Sequence, residues 1–283
     1  MWFKLQKKGF RNLINVLSLG AGVQSSTLAM MFAKGELKPM PDFAIFADTQ
    51  AEPKKVYEWL EWLEKQLPYP VHKVSKGNLT EDSLQLRTSK KTGKKYVRST
   101  VPFFLFNDGV NKGFLPRGCT EEYKINPIKT FLRRHCKIKN KETSVQINFM
   151  LGISTDEATR MKPSRVDWME HTFPLIENNI SRADCLTWFE KNNLNLPPRS
   201  ACIFCPYHSS SFWKNLKHNS PDEFDEAIEY EKKAKAIYKS TDAWRDDKYD
   251  ISIHSKNNLE NFDKEKHEQL DLFTGECEGI CGV

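Results

Sequence analysis

Apolar positions in the first half of the chain fall into short runs, each followed by a stretch with helical spacing. Ile14–Ser18 is one such run. It enters SLGAGVQSSTLAM, Ser18–Met30, whose glycines and serines separate it from TLAMMFAK, Thr27–Lys34, a set of good helix formers stopped by Gly35. Pro41–Asp48 (PDFAIFAD) reads as a second buried strand ending on an acid, and Pro53–Lys65 (PKKVYEWLEWLEK) as an amphipathic helix with Trp59 and Trp62 toward the core. Val71–Ser75 fits a third strand, Asn126–His135 a helix with a basic end, and Ser144–Gly152 a further buried strand running into Ile153–Arg160. Short apolar strands alternating with helices predict a parallel sheet covered on both faces.

From about residue 165 the strand signals fade, and Pro197, Pro198, Ser220 and Pro221 punctuate a helical pattern. The expected organisation is an α/β domain over 1–165 and a smaller, mainly helical region over 166–283. No internal repeat is visible. The segment RTSKKTGKKYVR, 87–98, packs six basic side chains around one glycine, the pattern of an exposed hairpin or loop that is either simply solvated or touches a phosphate backbone.

Composition changes this picture little. The 283 residues include 43 Lys+Arg against 37 Asp+Glu, a net charge of +6 that permits nucleic acid as a partner without requiring it. The start, MWFKLQKKGFR, makes a poor secretory signal, and no run approaches the roughly 20 apolar residues of a membrane span, so the expectation is a cytoplasmic protein with no membrane partner. In that compartment the seven cysteines read as metal ligands or redox groups before disulfides. The sharpest signal is Cys202-x-x-Cys205 in SACIFCPYH, whose spacing points two sulfurs at one metal. Cys136 and Cys185 sit in helical patterns and read as buried small side chains. Trp213 and Lys214 follow the C-x-x-C closely enough to line a channel.

A strand ending in a glycine turn that opens a helix offers backbone N–H groups and the positive end of a helix dipole to an anion. The loop here matches neither G-x-x-x-x-G-K-[ST] nor G-x-G-x-x-G. SLGAGVQSS, Ser18–Ser26, does resemble the pyrophosphate-binding loop of the PP-loop ATP pyrophosphatases, in the branch holding the PAPS and APS reductases and the ATP-pyrophosphatase component of DNA phosphorothioation systems. Three further segments stand in that family's order: DTQAE (Asp48–Glu52), CTEEYKINP (Cys119–Pro127) and GISTDEATR (Gly152–Arg160). The resemblance covers about residues 14–165, and the C-x-x-C segment extends it to about 206.

The resemblance implies a Rossmann-like, adenine nucleotide alpha hydrolase-like α/β fold that binds ATP and Mg²⁺ at the carboxyl ends of its strands. Ser18, Gly20, Gly22, Ser25 and Ser26 would cradle phosphates, Asp48 would stand near the ribose or a magnesium ion, and Glu52 would lie beside the cofactor. Lys124 and Arg160 would face phosphate or developing negative charge. Gln24 departs from the family's pattern, since the usual loop carries an acid there. In relatives of this kind a cysteine at the Cys119 position and a later C-x-x-C bind a [4Fe-4S] cluster, which implies Cys119, Cys202 and Cys205 as ligands here. A fourth ligand is open between Cys277, Cys281 and His208, the last of which would favour zinc over iron–sulfur. Glu276-Cys277 also matches part of the tail segment that carries a nucleophilic cysteine in the reductases.

Three functions compete. The first is an ATP pyrophosphatase that adenylates a nucleic acid for sulfur incorporation, with DNA favoured over tRNA and a sulfur donor such as a cysteine desulfurase as partner. The second is PAPS or APS reduction with Cys277 as catalytic thiol. The third is a nucleotide-sensing subunit without turnover. A homo-oligomer is compatible with each.

Overall fold

The computed structural model describes residues 13–264 apart from 99, 140, 143, 245 and 247, and the side chains of 263 and 264 are also left aside. Along the chain run β1 (Ile14–Ser18), α1 (Val23–Ala33), β2 (Phe43–Asp48), α2 (Lys54–Gln66), β3 (Val71–Ser75) and α3 (Leu79–Ser83). Then come β4 (Leu86–Thr88), β5 (Lys95–Val97), β6 (Phe104–Asn107), β7 (Val110–Phe114) and a π-helical turn, Thr120–Ile125, that leads into α4 (Asn126–His135). After β8 (Ile147–Met150) a 3₁₀ turn spans Thr155–Arg160, followed by β9 (Met169–Thr172), α5 (Pro174–Glu177) and α6 (Arg182–Lys191). The last elements are α7 (Ser210–Asn219), α8 (Pro221–Lys239), β10 (Tyr249–Ser252) and a 3₁₀ turn at Leu259–Lys264.

Five strands form one parallel sheet in the order β3-β2-β1-β8-β9. The period of two sends alternate residues to opposite faces. Leu17, Ala44 and Phe46 pack with α1, α2 and α6, whereas Val16, Phe43, Ile45, Ala47, Ile147 and Phe149 pack with Ile128 and Leu132 of α4. In α2 the buried positions are Val56, Trp59, Leu60 and Leu63, the i, i+3, i+4, i+7 stripe of a helix lying on a sheet. This is the doubly wound α/β fold expected from the alternation of strands and helices. Its strand order reverses between β1 and β8, and ligands of such sheets bind in the crevice at that switch point, outside the carboxyl ends of the strands.

Two expectations need correction. Helix α1 begins at Val23, not Thr27, so Ser25 and Ser26 lie in its first turn; burial of the whole segment outweighs the weak helix propensity of the two serines. Strands also continue past residue 165: β9 joins the main sheet beside β8, and β10 pairs with β6 in a three-stranded antiparallel sheet with β7. Beyond residue 194 helices do dominate, around a separate core that includes Phe103, Phe204, Trp213, Phe224, Tyr230 and Ile251. Trp213 is a fully buried member of that core rather than a channel wall.

Candidate functional site

Two sites stand on the carboxyl side of the parallel sheet. The first is the crevice between β1 and β8. The loop after β1 carries its left-handed residue at Ala21 (φ 60°), not at a glycine, and a non-glycine residue held there is strained by about 1–2 kcal/mol. Gly20 N donates to Ser25 Oγ over 3.2 Å, which folds the loop back onto the first turn of α1. Gly22 caps α1 without a side chain, and no acid lies in the first turn, so the positive end of this buried 11-residue helix meets no carboxylate of its own. Ser26 faces away from the loop, its hydroxyl accepting from Trp59 Nε1 at 2.9 Å.

Gln24 explains the missing loop acid. Its Nε2 donates to Glu157 Oε2 at 3.0 Å and lies 3.4 Å from Ser154 Oγ, while its Oε1 accepts from Arg182 Nη1 at 2.7 Å. An amide, unlike a carboxylate, can donate to one neighbour and accept from the other. An acid at position 24 would oppose the buried Glu157. Arg160 Nη1 stands 2.6 Å from Glu157 Oε2, and Arg182, whose backbone N donates to Asp156 Oδ1 at 2.8 Å, reaches the same place through Gln24, so two guanidiniums and a helix N-terminus gather near Glu157. Asp48, at the end of β2, accepts from Gln50 N at 2.8 Å and from the Tyr57 hydroxyl at 2.9 Å, and burial together with this carboxylate pushes the Tyr57 phenol far up.

The second site is a pocket built from five segments distant in sequence. Cys119, Cys202 and Cys205 line it together with Thr49, Arg117, Lys124, Pro102, Phe204 and Tyr207. The sequence-predicted thiols are therefore brought to one place. Lys124 is buried and pairs with buried Glu52 at 3.3 Å; the other Glu52 oxygen lies 3.4 Å from the Ser200 hydroxyl. Both Glu52 and Lys124 thus belong to the thiol pocket. Burial, reinforced by the Glu52 charge, pushes the Cys202 thiol well up, and Lys124 and the Thr49 hydroxyl 3.3 Å away oppose this. Ile203 N donates to Ala51 O at 2.8 Å, which ties the C-x-x-C turn to the segment after β2.

Among the described residues no three His, Cys, Asp or Glu side chains close on a single ion. His208 is not among the residues that line this pocket. Its Nε2 donates to the Cys202 carbonyl at 2.9 Å, its ring stacks on Phe212 with centroids 3.5 Å apart, and burial with Arg199 nearby holds it neutral. Three thiols in an apolar, protein-lined pocket are the donor chemistry of an iron–sulfur cluster. The pocket they line encloses about 30 Å³. Cys277 and Cys281 lie outside the described residues. Cys185 is buried in the core as expected, whereas Cys136, at the C-cap of α4, is only half-buried.

Sequence reasoning missed Arg182, Ser154 and Glu157 as partners of Gln24. One signal was present: Ser181 and Asp184 form a capping box, and Arg182 occupies the first helical position after that cap, where acids are the electrostatic preference. A cation at the start of α6 therefore suggests a task outside the helix.

No protein-family profile matches the chain, and no curated protein matches it in sequence. Among solved structures it is similar to the phosphoadenylyl-sulfate (PAPS) reductase from Candida auris in a phosphate complex, at 16% identity and a TM-score of 0.42, over 66% of this chain and 76% of that one. It is also similar to the U34-tRNA thiolase NcsA from Methanococcus maripaludis with its [4Fe-4S] cluster, at 13% identity and a TM-score of 0.38, over 79% of this chain and 72% of that one. Neither likeness is close enough to carry a residue's role to this chain, and among the described residues no helix is long and apolar enough to cross a membrane.

Proposed function

We propose that this chain is an ATP pyrophosphatase of the PP-loop type that adenylates a nucleic-acid acceptor, with DNA as first choice, so that sulfur can replace an acceptor oxygen. One observation carries the reading: a buried helix N-terminus without an acid of its own lies at the sheet's switch point, flanked by Arg160 and Arg182. The acceptor oxygen attacks the α-phosphorus of ATP, the bond from that phosphorus to the oxygen bridging to the β-phosphorus breaks, and its electron pair leaves with pyrophosphate. Amides of the α1 N-terminus and the two arginines hold the departing charge, the setting in which fixed donors are worth most. A sulfur nucleophile then attacks the activated centre, and AMP departs with the former acceptor oxygen.

Cys119, Cys202 and Cys205 would hold a thiolate-bound iron–sulfur cluster, which, when bound, supplies a site for sulfur. The chain's own contribution there is to exclude water and to keep Lys124 and Glu52 paired behind the thiols. A sulfur donor such as a cysteine desulfurase belongs to the same proposal. The test is anaerobic incubation with Mg²⁺ and ATP labelled at the α-phosphate, with and without DNA or bulk tRNA. Labelled AMP, or label transferred to nucleic acid, supports the reading; ATP left intact in every mixture overturns it.

A further inference from the structure

Outside the lining of both sites, an open groove of about 860 Å³ runs along the outer side of β3 and α4. Its lining includes Lys76, Arg98, Thr130, Phe131, Arg134 and His135, and among the described residues Glu122 is its one acid. That carboxylate is already shared, with Lys76 Nζ at 2.6 Å and Arg98 Nη2 at 2.7 Å, so the lining keeps a positive excess.

The hairpin β4–β5 extends this surface. Its register sets Arg87 opposite Tyr96, and the two-residue period of an extended chain puts Arg98 on the face of Tyr96. Tyr96 is 41% exposed although it is a large aromatic ring, and the register sets it on one face with Arg87 and Arg98. The hairpin is anchored to the body at the turn after α8, where Asp242 N donates to Lys95 O and the Asp242 carboxylate accepts from Lys95 N. Cations spaced along a groove, with an exposed ring between them, are the elements by which proteins bind one strand of nucleic acid: charge follows the backbone, and rings stack on bases.

The groove is also next to the chemistry. Ser75, at the end of β3, lines it, and Ser75 Oγ lies 3.4 Å from Nε2 of Gln50 in the segment after Asp48. Glu122 faces the groove from the same π-helical turn whose Lys124 lines the thiol pocket.

We propose that the β3–α4 groove and the hairpin face Arg87–Tyr96–Arg98 bind a single nucleic-acid strand and lead it toward the carboxyl ends of the sheet. This site deepens the proposed function by placing its acceptor. The experiment is fluorescence anisotropy of the full chain, without ATP, on labelled 20-nucleotide oligo(dT), oligo(rU) and a duplex of equal length, across 50–200 mM salt. The single strands should bind more tightly than the duplex. Arg98→Ala with Arg134→Ala should weaken binding by roughly tenfold or more and reduce the slope of log affinity against log salt by about 1.4, at about 0.7 per phosphate contact. Tyr96→Ala should weaken binding by about fivefold or more and leave the slope unchanged.

Unaltered binding in the double variant, no binding by the wild-type chain, preference for the duplex, or equal displacement by polyglutamate would each overturn the proposal. Thermal melts check that the variants fold. Because ATP is absent, oligonucleotide binding by a chain that never cleaves ATP would sink the proposed function and leave the groove standing, and the reverse result would do the opposite.

Discussion

The switch-point crevice and the thiol pocket lie on the same side of one sheet, yet they treat polar groups in opposite ways. In the crevice, Arg160, Arg182 and the start of α1 bring positive charge together around Gln24 and Glu157. In the pocket, the Lys124 ammonium and the Glu52 carboxylate are buried against each other, and the Cys202 thiol is held uncharged by its surroundings. The first arrangement concentrates positive charge, where an anion would be favoured; the second pairs its charges internally and offers thiols whose protons a soft metal would displace. Damage to the two should therefore be read by different instruments, the first by ligand binding and the second by stability and metal content.

The largest effect is expected in the pocket. Lys124→Met leaves the Glu52 charge buried without its cation and should cost about 3–5 kcal/mol of stability in urea unfolding. Adding Glu52→Gln should recover most of that loss, and a double variant as unstable as the single one would deny that the pair is closed on itself. Arg182→Ala should lower stability by less than about 1 kcal/mol, since its head group is only partly buried, but weaken pyrophosphate binding about tenfold, or about 1.4 kcal/mol, by calorimetry. Gln24→Glu should have the same effect on binding by setting a second carboxylate against Glu157, and Glu157→Gln in the same chain should restore it.

Acid provides a third contrast. His208 behind the C-x-x-C is buried and His171 in β9 is partly buried, and both are held below the ordinary histidine value near 6.5. The unfolded chain therefore takes up protons that the folded chain refuses. The stability contributed above pH 6.5 is lost as pH falls below it. His208→Gln should make the decline between pH 7 and 5 shallower, and an unchanged slope would contradict a neutral His208. The smallest effect is reserved for the loop: Ala21→Gly relieves the left-handed strain and should change stability by less than about 1 kcal/mol, because glycine's freedom in the unfolded chain offsets the gain.

The parts of the molecule that depend on neighbouring residues were legible in the sequence. The strand, loop and helix around Ser18–Ala33, the strands β2, β3 and β8, and the helices α2 and α4 follow from hydrophobic period and turn residues, and the two cysteines of the C-x-x-C announce themselves by spacing. What escaped depends on contacts between distant residues. Strand β10 pairs with β6 across more than 140 positions, and β9 (MEHT) is a short edge strand with polar residues that carries almost no apolar signal. Gln24 reads as a defect in a familiar loop until Glu157 and Arg182, 133 and 158 positions away, are placed on either side of it. Lys124 and Glu52 carry nothing in their local sequence to say that they pair.

The most direct measurement separates the two sites in one assay: labelled-ATP turnover by anaerobically prepared wild type, Arg182→Ala and Cys202→Ser, each with an acceptor oligonucleotide. The division of labour described here requires Arg182→Ala to lose AMP release and Cys202→Ser to keep it while losing bound iron and the sulfur-containing product. If Cys202→Ser loses ATP cleavage while remaining folded, or Arg182→Ala cleaves ATP as well as wild type, the crevice is not the pyrophosphate site and the proposed division fails.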